Sequence, residues 1–222
     1  PVIKINPHEA GLTIAGGRLT GSDNIYWRIA QFLMPLHSYA PSAMPGENIF
    51  GQSFVPVTDT NCWIYTYAWN PERPLTDAER EGYDKGNGVI AEVDDNYVPL
   101  RHKGNNYLID RKLQKTKSYT GIKGVSEQDA AVQDSQGPIA DRSREHLGPT
   151  DLGIMHFRKL MLDTARALQQ GTAPAHLNHQ HRYAVRSGAC VTNKAKDLPA
   201  VMVERFGHEA GFVGRPRIAA AE

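Results

Sequence analysis

TDLGIMHFRKLMLDTARALQQG, residues 150–171, reads as one long helix. Thr150 or Asp151 can cap its start, because a short polar side chain just outside the first turn accepts from the unpaired amides there. Gly171 can end it, since glycine enters the left-handed region without a steric penalty. Ile154, Met155, Met161, Leu162, Ala165 and Leu168 recur at helical spacing, which predicts the apolar face. A helix this long needs a broad apolar surface to lie across, and the chain upstream supplies one.

LTIAGG (12–17), IYWRIAQFLM (25–34), GQSFVPV (51–57) and NCWIYTYAW (61–69) are rich in β-branched and aromatic residues. TGSDN, MPGEN and TDTN separate them with turn chemistry. Consecutive strands with short links pair antiparallel. In the last strand Cys62, Ile64 and Thr66 face one way and Trp63, Tyr65 and Tyr67 the other. Its aromatic side chains are expected in the core or a pocket wall. The fold class is therefore α+β, an antiparallel β-sheet with a long C-terminal helix packed across it.

PERPLTDAEREGY (71–83) carries a capping box, with Thr76 as cap and Glu79 reaching back to it. Residues 84–120 read as a long polar excursion without regular structure. Ser126 can cap a short helix beginning SEQD. That places Asp129 in the first turn, where the helix dipole favours a carboxylate. Residues 1–171 are expected to form one domain, and residues 172–222, broken by Pro174, Pro199 and Pro216, an extended C-terminal tail.

The 222 residues carry a formal charge of +1, so no large field favours nucleic acid or an anionic membrane. No apolar run approaches the length of a membrane span, and no leader pattern opens the sequence. The two cysteines, Cys62 and Cys190, form no CxxC or CxH motif. Free thiols of this kind fit a cytoplasmic location. No GxSxG, HExxH, P-loop or GxGxxG motif is present. His176, His179 and His181 are the densest metal-type cluster, but no acidic residue stands near them and a solvated tail is the plainer reading. Between the short helix and the long one, Asp129, Gln133, Asp134, Asp141, Arg142, Glu145 and His146 crowd together. Chemistry alone leaves two readings open there: helix capping with surface ion pairs, or a site.

QDAAVQDSQGPIADRSREHLGPTDLGIMHFRKLML (128–162) closely resembles the C-terminal catalytic region of the phthalate-dioxygenase-like group of Rieske oxygenases. IYWRIAQFLMP (25–35) and NCWIYTYAWNPERPLTDAE (61–79) resemble it in the same order, so the likeness spans roughly residues 5–170. It implies a helix-grip (START-like) catalytic domain, the arrangement already reached from the residues. It also implies a mononuclear Fe(II) held by two histidines and one carboxylate, Asp129 of the QD pair. Such a triad leaves open positions for dioxygen and substrate. The group's histidine pair, and the Cys–His pairs of its [2Fe–2S] cluster, belong upstream and have no counterpart motif here. A fragment with an incomplete iron site, inactive alone, is the expectation.

The resemblance further implies electrons from NAD(P)H through a reductase or ferredoxin, and a homo-oligomer, either a trimer or a hexamer. The substrate would be an aromatic acid such as phthalate, and Arg18 and Arg28 are the candidates to bind its carboxylate. Asp141, Arg142, Glu145 and His146 would organise the loop and subunit contacts. Two other classes compete. One is a non-enzymatic helix-grip ligand carrier, and the other is an unrelated metal-dependent hydrolase built on the His176–His181 cluster.

Overall fold

The structure is a computed structural model. It describes residues 1–206 other than 42, 43, 45, 87 and 179, with backbone alone at 175 and 176. Among the described residues seven strands form one antiparallel sheet: β1 (Val2–His8), β2 (Gly11–Thr20), β3 (Asn24–Leu33), β4 (His37–Tyr39), β5 (Ile49–Pro56), β6 (Cys62–Trp69) and β7 (Gly188–Asn193). The order is β1-β2-β3-β4-β5-β6, with β7 paired to β3. The α-helices are α1 (Asp77–Asp84), α2 (Arg111–Thr116), α3 (Val125–Asp134), α4 (Leu152–Gln169) and α5 (Leu198–Phe206). The chain forms two compact units, Pro1–Phe54 with His146–Glu222, and Val55–Glu145.

In the first unit β3 is the hub. β2 pairs along one whole edge, while β7 and then β4 share the other. Strand alternation sends Ile25, Trp27, Ile29, Gln31 and Leu33 to one side, and all five are buried. Leu198, Val201 and Met202 of α5 and Cys190 of β7 close that core. Two polar residues there are satisfied: Thr13 donates its hydroxyl to Gln31 Oε1 (2.9 Å), and Gln31 donates to the Arg186 carbonyl (2.9 Å).

α4 lies on the opposite side of the sheet, against β1 and β2. Gly153 makes the approach possible, since a Cβ there would sit 3.1 Å from the Ile14 side chain. One turn on, Phe157 meets Phe32 edge to face, with ring centroids 4.7 Å apart. The sheet-facing positions are thus Gly153, Phe157, Leu160, Met161 and Thr164. Of the apolar face expected from spacing, Met161 is half-buried, whereas Ile154, Met155, Leu162, Ala165 and Leu168 are exposed. Hydropathy counting gives no weight to Gly153, yet the missing side chain decides which face comes closest. Asp151 stands at the N-cap but offers no side-chain cap. Its carboxylate accepts instead from the Gly148 amide (2.8 Å). Gly171, at φ +83°, ends the helix as expected.

The weakly patterned C-terminal stretch is not an extended tail through residue 206. β7 and α5 are integral to the core, with Val201 and Met202 fully buried. Its pattern is weak because β7 is short and buried at four of six positions, which hides strand alternation, while α5 is only nine residues long and shows just Leu198, Val201 and Met202 as its buried face.

In the second unit β6 departs from expectation. Trp63, Ile64 and Tyr65 are about half exposed, at 46%, 48% and 57%, and Trp63 and Tyr65 stack on each other with centroids 6.5 Å apart. α1 has the complete Thr76/Glu79 capping box. The region expected to be structureless contains a 3-10 turn at Lys103–Leu108 and α2, capped by Asp110, which accepts from the Lys112 and Leu113 amides. Among the described residues no helix is long and apolar enough to cross a membrane.

Candidate functional site

α3 begins two residues earlier than Ser126 would set it. Its N-cap is Gly124, and the Ser126 hydroxyl donates instead to the Val89 carbonyl. Asp129 therefore lies in the second turn, and the acidic residue of the first turn is Glu127. Asp129 is exposed, and among the described residues its carboxylate makes no hydrogen bond or ion pair. A carboxylate so placed keeps its full capacity as a hard oxygen ligand.

Glu127 escaped the sequence reading. Its side chain is only 2% exposed, lies over Gly124, and faces Arg101 at 3.7 Å. Gly124 has φ +87°, and a Cβ there would fall 1.9 Å from Glu127 Oε2, so glycine is required on both counts. Arg101 also donates to Glu92 (3.0 Å), which Lys123 approaches at 3.3 Å. Arg101 first and Lys123 second hold the Glu92 carboxyl below the usual carboxylate range. The remote positions of Arg101 and Lys123 hid this cluster. The one local signal was an acidic residue three positions after a glycine.

At the far end of α3 the buried Tyr107 donates its hydroxyl to the Asp134 carboxylate. Burial, and then that carboxylate, push the phenol up to about 12. Asn106, Tyr107 and Leu108 all have left-handed backbone, φ 51°, 54° and 48°. Each such residue costs roughly 1 kcal/mol or more. Beyond α3, Asp141 caps the turn Arg142–Arg144, accepting from the Ser143 hydroxyl (2.6 Å) and amide (3.0 Å), which lower its carboxyl.

In the sheet unit, Arg18 and Arg28 come together. Arg28 is opposite Gly16 and Arg18 opposite Tyr26, so the two are diagonal neighbours on one face of adjacent strands. Both are exposed, and among the described residues neither has an acidic partner. Arg28 donates to the Pro41 carbonyl (3.3 Å). Their face is the one that α4 covers further along, at Ile14 and Phe32.

Among the described residues neither cysteine belongs to a group of metal-type side chains. Cys190 is buried in the core, where burial raises its thiol, and Cys62 is exposed in the other unit. A Rieske-type [2Fe–2S] centre takes two cysteines and two histidines brought together. Among the described residues no three His, Cys, Asp or Glu side chains group to hold a metal. Asp129 therefore stands apart from any such group, as a single exposed carboxylate. The His176–His181 reading lies outside the described residues at His179 and at the side chain of His176.

The family model described as LigXa C-terminal domain like matches residues 18–209. The chain belongs to this family. It is accordingly a C-terminal catalytic domain of the Rieske oxygenase class. This Rieske oxygenase domain is similar to the phthalate 4,5-dioxygenase oxygenase subunit of Pseudomonas putida, 39% identical over 150 residues, covering 66% of this chain and 33% of the relative. It is also similar to the 3-chlorobenzoate-3,4-dioxygenase oxygenase subunit of Comamonas testosteroni, 31% identical over 198 residues, covering 83% of this chain and 46% of the relative. The domain therefore spans between a third and a half of the length of these relatives.

Proposed function

We propose that the chain is the catalytic part of an oxygenase that hydroxylates an aromatic carboxylate, with Asp129 as the carboxylate ligand of a mononuclear iron. The observation that carries this reading is the unpartnered, exposed carboxylate of Asp129 on α3, inside the family segment. Iron, when bound, would supply the activation of dioxygen. The chain's own residues would hold it and orient the substrate. Arg18 and Arg28, on one face of adjacent strands and without acidic partners among the described residues, would bind the substrate carboxylate, by the bidentate geometry that arginine favours. Phthalate and 3-chlorobenzoate, the substrates in the relatives' names, are the first to try. Electrons would come from NAD(P)H through a reductase or ferredoxin and a [2Fe–2S] cluster outside the described residues. The active form would be a cytoplasmic homo-oligomer, a trimer or hexamer.

The test uses the complete gene product with a reductase, NADH and each acid. Hydroxylated product and mononuclear iron in excess of the cluster iron are expected, and Asp129→Ala should lose both. Iron-free protein that binds an aromatic acid without turnover would instead identify a ligand carrier.

A further inference from the structure

α3 is too short to stand alone: it has 10 residues, below the length at which an isolated helix persists in water. Apolar packing does not hold it either. Its one buried residue is Glu127, while Val125 and Val132 are exposed. Its anchors are polar and sit at its two ends. At the start, the Val125 amide donates to the Gly88 carbonyl (3.3 Å), the Ser126 hydroxyl to Val89, and Glu127 faces Arg101 at 3.7 Å. At the end, Tyr107 donates to the Asp134 carboxylate and Lys103 to the Asp134 carbonyl (3.3 Å). Every partner comes from residues 88–107, and Asp129 lies between the two sets of contacts, touching neither.

We infer that Arg101, acting through Glu127, and Tyr107, acting through Asp134, are positioning residues that set where α3 presents Asp129. This rests on the reading of Asp129 as an iron ligand. The left-handed run at 106–108 supports it: backbone strain persists where surrounding contacts over-determine it, and here it carries the Tyr107 hydroxyl to Asp134. A ligand must be held within about half an ångström of its productive place, and an exposed carboxylate has nothing but its helix to hold it.

The experiment measures Fe(II) binding by the complete gene product, in competition with a chromophoric chelator. The melting temperature and helical circular dichroism of the metal-free protein are recorded alongside. Asp129→Ala should abolish binding. Tyr107→Phe and Glu127→Gln should each weaken it about tenfold, with the metal-free helical signal retained. Asp134→Asn, which keeps an acceptor for the Tyr107 hydroxyl, should stay near the native affinity. If Tyr107→Phe and Glu127→Gln bind iron as tightly as the native protein while Asp129→Ala does not, the positioning inference fails and the ligand assignment stands. Weakening matched by an equal loss of helical signal would also overturn it, since the role would then be structural alone. Native affinity in Asp129→Ala would sink both. Should Glu127→Gln prevent folding, Tyr107→Phe, which deletes one oxygen atom, carries the test.

Discussion

In the sheet unit, Trp27, Ile29, Val201 and Met202 are almost wholly withdrawn from water and pack across β3, β7 and α5. In the unit of residues 55–145, the most deeply buried side chain among the described residues is a carboxylate, Glu127, with Arg101 beside it. The first unit is held by apolar area, which is non-directional and tolerates small shifts. The second is held by charges and hydrogen bonds, which are directional and costly when one partner is lost. Directional polar anchorage suits an element proposed to orient a metal ligand.

The largest expected effect tests the apolar half of that contrast. Trp27→Ala should destabilise the sheet unit by about 4 kcal/mol, from lost burial and the cavity left behind. Urea unfolding followed by near-ultraviolet circular dichroism reads the loss, and hydrogen exchange locates it. Amides of β2 and β3 should lose protection while those of α3 keep theirs. Equal loss in α3 would mean that the two units do not differ in what supports them.

Next is the polar half. Arg101→Met leaves Glu127 buried without its cation and should cost the second unit about 3 kcal/mol. Glu127→Gln in the same background removes the stranded charge and should recover much of that loss. A double-mutant cycle measures the coupling, and a coupling near zero would show that the 3.7 Å pair contributes nothing.

The contrast also explains what could be read from sequence. β2, β3, β5 and β6 announced themselves through β-branched and aromatic runs, and α1 through Thr76 and Glu79, because those signals are local. The Thr76 cap is the next test in size. Thr76→Ala should cost α1 about 1 kcal/mol, visible as lost amide protection at Glu79. β1 escaped notice because its polar alternation is interrupted by Pro7, β7 because burial on both faces erases its alternation, and α5 because nine residues with Pro199 in the first turn are too few for its 198/201/202 face to stand out. The α4 face was misjudged because the decisive residue, Gly153, has no side chain to count. Asp129, the proposed ligand, was singled out by a motif. Its supports were not, since Arg101 and Tyr107 reach α3 from segments whose polar composition carries no period.

The smallest effect isolates one oxygen atom. The Tyr107 phenol moves from an ordinary value of 10.0 to about 12 in the folded state, by burial first and by Asp134 second. Between those values the folded protein keeps the proton and the unfolded chain releases it. The stabilisation due to this hydroxyl is therefore complete below pH 10 and is lost as the pH rises through about 12. Urea midpoints for the native protein and Tyr107→Phe should differ by a constant amount up to pH 10 and converge by pH 12. Subtracting the variant removes every other alkaline titration common to both. A gap that stays constant to pH 12 would show that the hydroxyl is not sequestered by Asp134, and the tie at the end of α3 would then have to rest on Lys103 alone.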